Sequence, residues 1–364
     1  MKVPFFDLKK QNSLIEDEIL KCFKKVCRDS QFSDGLYVQE FEKKFADYCS
    51  SKYAIALNSG TSALHLALLT LNIGKGDEVI LPANTFISTA WAVSYVGGEI
   101  VFVDCEPRTW QICPDAVERS ITKKTKLIIG VHLYGQPFNV TRINEIAKKY
   151  DLNFIEDAAQ AHGAKYNNKI VGTFGEMACF SFYPSKNLGA YGEGGCITTN
   201  NSNYDKKIRM LRNHGSQKKY KYDFIGFNMR MGGLEGAVLN IKLKFIKDWN
   251  KRRVEIAQEY LNNIINPKIK MQKSPRNSES VFHLFVITTN ERNKLKLYLE
   301  NRNIQTGKHY PIPCHLQKAY ENLGYKKNDF PQAEYLARSC LSLPMFPEMT
   351  DKMVAKVIDE LNNY

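Results

Sequence analysis

The chain has 364 residues, of which 43% are apolar and 24% charged, so it is long enough to bury a large core and an additional smaller one. Its formal net charge is +13, but the lysines are scattered along helix-like stretches. They read first as a solvated basic surface, second as a patch for a phosphorylated small molecule, and only last as a nucleic-acid footprint. The N-terminal MKVPFFDLKKQ has no stretch suited to a signal peptide and no run approaches membrane-spanning length, which gives the expectation of a soluble, cytoplasmic protein without a membrane partner.

From about residue 52, short β-branched runs alternate with amphipathic stretches. YAIAL precedes TSALHLALLTL, EVILP precedes TFISTAWAVSYV, and EIVFVD precedes a helix starting near Pro114. KLIIGVH, NVTRINEIAKKY and LNFIED continue the series. Strand–helix alternation of this kind predicts βαβ units and a largely parallel sheet flanked by helices. The runs are too continuously apolar for half-exposed antiparallel strands.

After Asn200 the pattern changes. A long helix-periodic segment runs from Gly233 to about Leu261, with Leu234, Val238, Ile241 and Phe245 on one stripe. A polar connection, INPKIKMQKSPRNSESV, leads to VFHLFVI, a helix in ERNKLKLYLENRN, the Pro-rich loop HYPIPCH and a final helix from Thr350. The expected organisation is a large domain over residues 1–247 and a smaller α+β domain over 248–364. Nine dispersed cysteines without a C-x-x-C pair argue against a disulfide framework and for a reducing compartment. Seven scattered histidines, with no H-E-x-x-H, give no metal site.

The chemistry gathers around SFYPSKNLGAYGEGGCITT, where Lys186 sits in a Ser/Pro/Gly-rich turn between two strand-like runs. Four features make it more than a surface lysine. LNFIEDAAQAHGA puts Glu156 and Asp157 at a strand's carboxyl end, where ligands of parallel sheets bind; spacing does not choose between the two acids. ALNSGTSALHLAL is a strand, turn and helix whose free N–H groups suit a phosphate. Gly60 allows close approach there and the hydroxyls of Ser59, Thr61 and Ser62 add hydrogen bonds, though neither a Walker loop nor G-x-G-x-x-G is present. Gly189, Gly192, Gly194 and Gly195 permit tight backbone after the lysine. Phe86, just past a strand end, offers a ring for stacking on a flat cofactor. Singly these are an acidic strand cap, a turn and a core phenylalanine. Together they meet the needs of pyridoxal phosphate, held on a lysine as a Schiff base while an acid keeps its pyridine nitrogen protonated.

Over nearly its whole length the chain resembles the DegT/DnrJ/EryC1/StrS family of pyridoxal-phosphate-dependent sugar aminotransferases. The carrying motifs are NSGTSALHLAL, PANTFISTAWAV, VHLYGQ, IEDAAQAHGA, SFYPSKNLGAYGEGG, LRNHGS, HYPIPCHLQKAY and LSLPMFPE, in the family's order. The resemblance implies a fold type I (aspartate-aminotransferase-like) α/β architecture: a large domain with a mostly parallel central sheet, plus the small C-terminal α+β domain. It implies that Lys186 carries the cofactor and moves protons, and that Asp157, not Glu156, meets the pyridine nitrogen. Gln160 would contact the ring hydroxyl and Phe86 would stack on the ring. The phosphate would be held by the backbone of Gly60 and Thr61, by Ser181, and by Asn228 from a partner subunit, which requires a homodimer. Relatives usually have an acid and a glutamine after the position of Asn228, whereas this chain reads RMGGLEGAV, with Gly232 and Glu235. The lysine itself favours transamination over the dehydration of lysine-lacking relatives.

The implied amino donor is glutamate and the implied acceptor a nucleotide-linked keto-sugar. HYPIPCHLQ resembles enzymes that aminate carbon 3 of a dTDP-linked 3-keto-6-deoxyhexose, with His309, Tyr310 and His315 as candidates for the sugar hydroxyls. Tyr183 is a further candidate for a sugar contact, and Lys219 is a candidate for the nucleotide phosphates or a plain surface lysine. The alternatives are amination at carbon 4 of a dTDP- or UDP-4-keto-6-deoxyhexose and, more remotely, a non-catalytic regulatory protein of the same fold.

Overall fold

The computed structural model describes residues 1–218 and 220–364, so Lys219 lies outside the described residues. Seven strands build the main sheet: β1 (Tyr53–Leu57), β2 (Glu78–Pro82), β3 (Glu99–Val103), β4 (Thr125–Val131), β5 (Asn153–Asp157), β8 (Ala178–Ser181) and β9 (Gly195–Thr199). The strand order is β1-β9-β8-β5-β4-β2-β3. Every pairing is parallel except the two made by β9, which runs against β1 and β8. The order doubles back, so the carboxyl ends of β1, β5 and β8 come together at one edge, as expected where a parallel sheet reverses direction. A hairpin of β6 (Lys165–Tyr166) and β7 (Lys169–Ile170) pairs with β11 (Ser278–Glu279) beside this sheet.

Residues before β1 form two helices, α1 (Lys9–Asp29) and α2 (Leu36–Cys49). After β1, α3 (Gly60–Thr70) and α4 (Ile87–Tyr95) cover one face, with Leu66, Ala67, Ala90 and Val93 buried against Ile129 and Ile155 of the sheet. On the other face Phe41 and Phe45 of α2 meet Phe180 and Phe182 edge-on, with centroids 5.0 to 5.2 Å apart. Both faces are thus apolar, which is why the strands read as continuous hydrophobic runs.

The long periodic segment is not one helix. It is divided into Gly233–Lys242 and Ile246–Asn263, because its apolar residues serve different cores. Val238 and Ile241 pack with Ile15 and Ile19 of α1. Beyond the break, Ile246 and Trp249 join the α2 core, and Ile256 and Tyr260 enter the core of a second sheet. That sheet is β10 (Lys270–Met271), β12 (Phe285–Thr288) and β13 (Cys340–Leu343), ordered β10-β12-β13 and antiparallel. The glycines of RMGGLEGAV have a packing reason. A Cβ on Gly233 would lie 1.8 Å from the Gln31 carbonyl oxygen, so only glycine lets this helix start so close to the N-terminal segment. Val3 also reaches the second sheet's core, pairing in parallel with Ile304.

Candidate active site

One cavity of about 580 Å³ opens at the edge where the strands' carboxyl ends meet. Ser59, Gly60 and Thr61 form its wall at the start of α3, with Asp157 and Gln160 after β5, and Ser181, Tyr183 and Lys186 after β8. Phe86, His309 and Tyr310 line it as well. Of the residues singled out from the sequence, these stand together. Asn228 does not: it is exposed on a loop whose backbone pairs with Asn213, and it does not line its own chain's cavity. His315 does not either. It is buried, its Nε2 3.3 Å from Glu334, in the packing behind the loop. A sugar contact at His315 is therefore corrected to a core histidine held by an acid nineteen residues on.

The α3 turn forms an anion cradle by elimination. The Ser59 hydroxyl caps the Ser62 N–H at 3.1 Å and lies 2.9 Å from the Ser62 hydroxyl, while Thr61 Oγ1 donates to Ser88 at 2.9 Å. These hydroxyls are engaged within the protein, so the first-turn N–H groups of Gly60 and Thr61 remain for a ligand. A Cβ on Gly60 would stand 2.6 Å from Ser181 Cβ. The missing side chain is what lets the turn and the Ser181 hydroxyl share one pocket.

The two acids separate cleanly, because neighbours on a strand face opposite sides. Glu156 is fully buried and accepts from the N–H groups of Gly172, Phe174 and Gly175 at 2.9, 2.8 and 3.2 Å. His132 Nε2 lies 3.0 Å from its Oε2. Glu156 thus anchors the loop between β7 and β8. Asp157 faces the cavity; Thr89 donates to its Oδ2 at 2.8 Å and the Ala159 N–H to its Oδ1 at 3.2 Å. Burial raises its pKa above the usual carboxylate value, while the Thr89 and Ala159 donors and the Lys186 charge oppose the rise. Thr89 escaped the sequence reading, although Thr85, just before α4, and Thr89, in its first turn, stand four apart with their hydroxyls 2.9 Å apart.

Lys186 follows a tight turn in which its N–H donates to the Tyr183 carbonyl at 2.8 Å. Burial lowers its amine to about 8, with Asp157 pulling the other way. Gln160 is held at both ends: its Oε1 accepts from the Tyr134 N–H at 2.6 Å and its Nε2 donates to Tyr310 at 3.0 Å. Phe86, half exposed, has its ring 5.6 Å from that of Tyr310. Burial, helped by the Lys186 charge, pushes His309 down to about 4, so its ring is neutral.

The donor set fits pyridoxal phosphate: an amide cradle and a hydroxyl for phosphate, a desolvated amine, a buried carboxylate for the pyridine nitrogen, and a ring to stack. Such a site on such a sheet defines a pyridoxal-phosphate-dependent transferase of fold type I. The chain belongs to the DegT/DnrJ/EryC1/StrS aminotransferase family, whose sequence profile matches residues 13–362. It is 45% identical over 362 residues to the dTDP-3-amino-3,6-dideoxy-alpha-D-galactopyranose transaminase of Aneurinibacillus thermoaerophilus, covering 100% of this chain and 99% of that protein. It is 40% identical over 367 residues to a pleiotropic regulatory protein of Geobacillus stearothermophilus, covering 100% and 99%. The X-ray structure of DesV from S. venezuelae superposes with a TM-score of 0.98 at 39% identity, over 100% of this chain and 98% of that one. No helix among the described residues is long and apolar enough to cross a membrane, and no group of three or more potential ligands there could hold a metal ion.

Proposed function

We propose that the protein transfers an amino group from glutamate to carbon 3 of a dTDP-linked 3-keto-6-deoxyhexose, as a cytoplasmic homodimer. The carrying observation is a single cavity that holds Lys186, Asp157 and the Gly60–Thr61 cradle, in a chain 45% identical to a dTDP-3-amino-sugar transaminase. The division at residue 247 falls at the start of the helix Ile246–Asn263, which links the two sheets.

Bound pyridoxal phosphate supplies a carbonyl that accepts the amine and a ring that withdraws electrons. The chain's own groups do the rest. The N–H groups of Gly60 and Thr61 and the Ser181 hydroxyl bind the phosphate, completed by Asn228 of the partner subunit, whose exposure in its own chain suits a role in trans. Asp157, held by Thr89, keeps a proton on the pyridine nitrogen, and Gln160 and Phe86 orient the ring. Lys186, near pKa 8, would take a proton from the donor's carbon in the first half of the reaction and deliver one to the sugar carbon that receives the amine in the second. Tyr183, His309 and Tyr310 stand at the cavity wall as contacts for the sugar. The neutral ring of His309 can hydrogen-bond hydroxyls without repelling a cationic amine. Lys219 is retained as a candidate for the diphosphate.

The test is mass spectrometry of products from glutamate, pyridoxal phosphate and a panel of 3-keto and 4-keto dTDP- and UDP-hexoses. Amine gained on the 3-keto dTDP-sugar is expected. Gain only on a 4-keto sugar moves the chemistry to carbon 4, and gain on none, with cofactor bound, favours a regulatory role.

A further inference from the structure

We propose, on the reading that a sugar nucleotide is the second substrate, that Tyr134 is a positioning residue for the sugar half of the reaction. It sets both the hydroxyl and the main chain of Tyr310, so that Tyr310 presents an O–H donor to an oxygen of the sugar.

Tyr134 stands in VHLYG, just past β4; it is fully buried and does not line the cavity. Its backbone is left-handed, with φ 65° and ψ 8°, and Gly135 follows at φ 90°. A bulky side chain seldom holds such a conformation, and where one does the surroundings impose it. The ring of Tyr134 packs into an apolar cluster with Leu284, Val286 and Cys340 at the smaller sheet. The residue thus joins the edge of the large sheet to the small domain.

Its backbone and its side chain hold different groups. The N–H can only donate, so it fixes Gln160 Oε1, 2.6 Å away. Gln160 Nε2 then faces the Tyr310 oxygen at 3.0 Å and must be the donor. Tyr310 therefore accepts that bond, and its own hydrogen, with no acceptor among the described residues, is left for a group in the cavity it lines. Burial raises the Tyr310 pKa, so the phenol stays neutral and keeps its hydrogen. The Tyr134 hydroxyl donates at 2.5 Å to the carbonyl of His309, in the peptide that leads into Tyr310. Burial keeps this phenol protonated as well.

Other anchors act elsewhere on the loop. The His309 ring pairs with the Ser342 hydroxyl at 2.8 Å and stacks on Phe5, centroids 5.7 Å apart. The Cys314 N–H donates to the Ala83 carbonyl at 2.9 Å. Neither holds the His309 carbonyl. The charged side chains of the cavity wall, Asp157, Lys186 and Glu193, take no part in these bonds. Removing the Tyr134 hydroxyl thus frees the peptide before Tyr310, while the Tyr134 N–H stays on Gln160 at the cofactor.

The test uses the full-length protein carrying pyridoxal phosphate, with two readouts. Calorimetric titration with dTDP-glucose, whose carbon 3 bears a hydroxyl and takes no amine, reads the sugar side. Stopped-flow absorbance on mixing with glutamate reads the donor side. Tyr134→Phe is expected to weaken dTDP-glucose binding about fivefold or more, the effect of one lost hydrogen bond. The glutamate rate should stay within about twofold of the parent. A dTDP-glucose affinity within about twofold of the parent overturns the proposal, and so does a glutamate rate that falls as far as the affinity, since a merely structural role moves both. Should that variant not fold, the parent is labelled with ¹³C-carbonyl histidine and ¹⁵N-tyrosine, which mark one peptide bond because His309–Tyr310 is the only His–Tyr pair in the sequence. The His309 carbonyl resonance is expected at the downfield position of a strongly hydrogen-bonded group and to remain there when dTDP-glucose binds. An upfield move on binding, showing that bond broken, overturns the proposal. Failure of the substrate reading looks different: a parent that reacts with glutamate but binds no dTDP-hexose overturns that reading, and the proposal with it, while its His309 carbonyl stays bonded.

Discussion

Replacing Thr89 by valine removes the hydroxyl that donates to Asp157 Oδ2 at 2.8 Å, at nearly constant volume. A hydrogen bond to a charged, buried group contributes about 1.5–3 kcal/mol, and each pKa unit is about 1.4 kcal/mol. The Asp157 pKa, already raised by burial, is therefore expected to rise by a further one to two units. The sign follows from which form the hydroxyl favours. It stabilises the carboxylate, so its loss favours the neutral acid, and protonated Asp157 no longer holds a proton on the pyridine nitrogen by charge. The acidic limb of the pH–rate profile should move to higher pH by one to two units, leaving the alkaline limb in place. Valine also strands the Thr85 hydroxyl, 2.9 Å from Thr89, but that loss carries no charge and acts equally at all pH values. Single-turnover reaction with glutamate across about pH 5 to 9 is the assay, with Thr89→Ser as the control that retains the donor. An acidic limb that stays where it is would refute the assignment of Asp157 as the acid tuned by Thr89.

Lys186→Ala should remove both turnover and the visible absorbance of bound pyridoxal phosphate; normal turnover in that variant would sink the site. In the parent, the chemical step should accelerate as pH rises through about 8, where the amine loses its proton and becomes a base, and then level off, as stopped-flow traces would report. Gly60→Ala should weaken cofactor affinity at least about tenfold by forcing the turn away from Ser181, since the new Cβ would start 2.6 Å from a side-chain carbon; equilibrium titration of the cofactor checks it. Glu156→Gln should lower stability by about 2–4 kcal/mol in denaturant unfolding, because the amide brings a donor up against an N–H or His132, while any protein that folds keeps its cofactor.

Strand–helix alternation and the glycine and serine turns made most of the large sheet and the cofactor end of the site legible, because both depend on local chemistry. Gly60, Lys186 and Phe86 each sit where a strand ends, and a strand end can be read from neighbours in sequence. Asp157 and Glu156 were harder. Alternation says that they face opposite sides, yet which side holds the cavity depends on Gly172, Phe174 and Gly175 claiming Glu156 from a loop beyond the strand. His315 was misread for the same reason, since Glu334 claims it from a later helix. His283 carried no signal of its own; its ring lines the cavity and pairs with Asn187, which only the fold brings beside it. The break in the segment after Gly233 was invisible because the stripe of apolar residues continues while the core it serves changes.

Val3 is buried in the second core and pairs with the segment after the helix Arg292–Glu300: its N–H donates to the Asn303 carbonyl at 2.8 Å, and its carbonyl accepts from Gln305 at 3.0 Å. During synthesis this residue emerges some three hundred residues ahead of its partners. The sheet of residues 53–199 can therefore assemble while the segment around Val3 stays unpaired, and the smaller core closes only after residues 303–305 have emerged. A bulky fusion placed before Val3 would burden that step, leaving the cofactor-bearing sheet formed while the smaller core is slow to close.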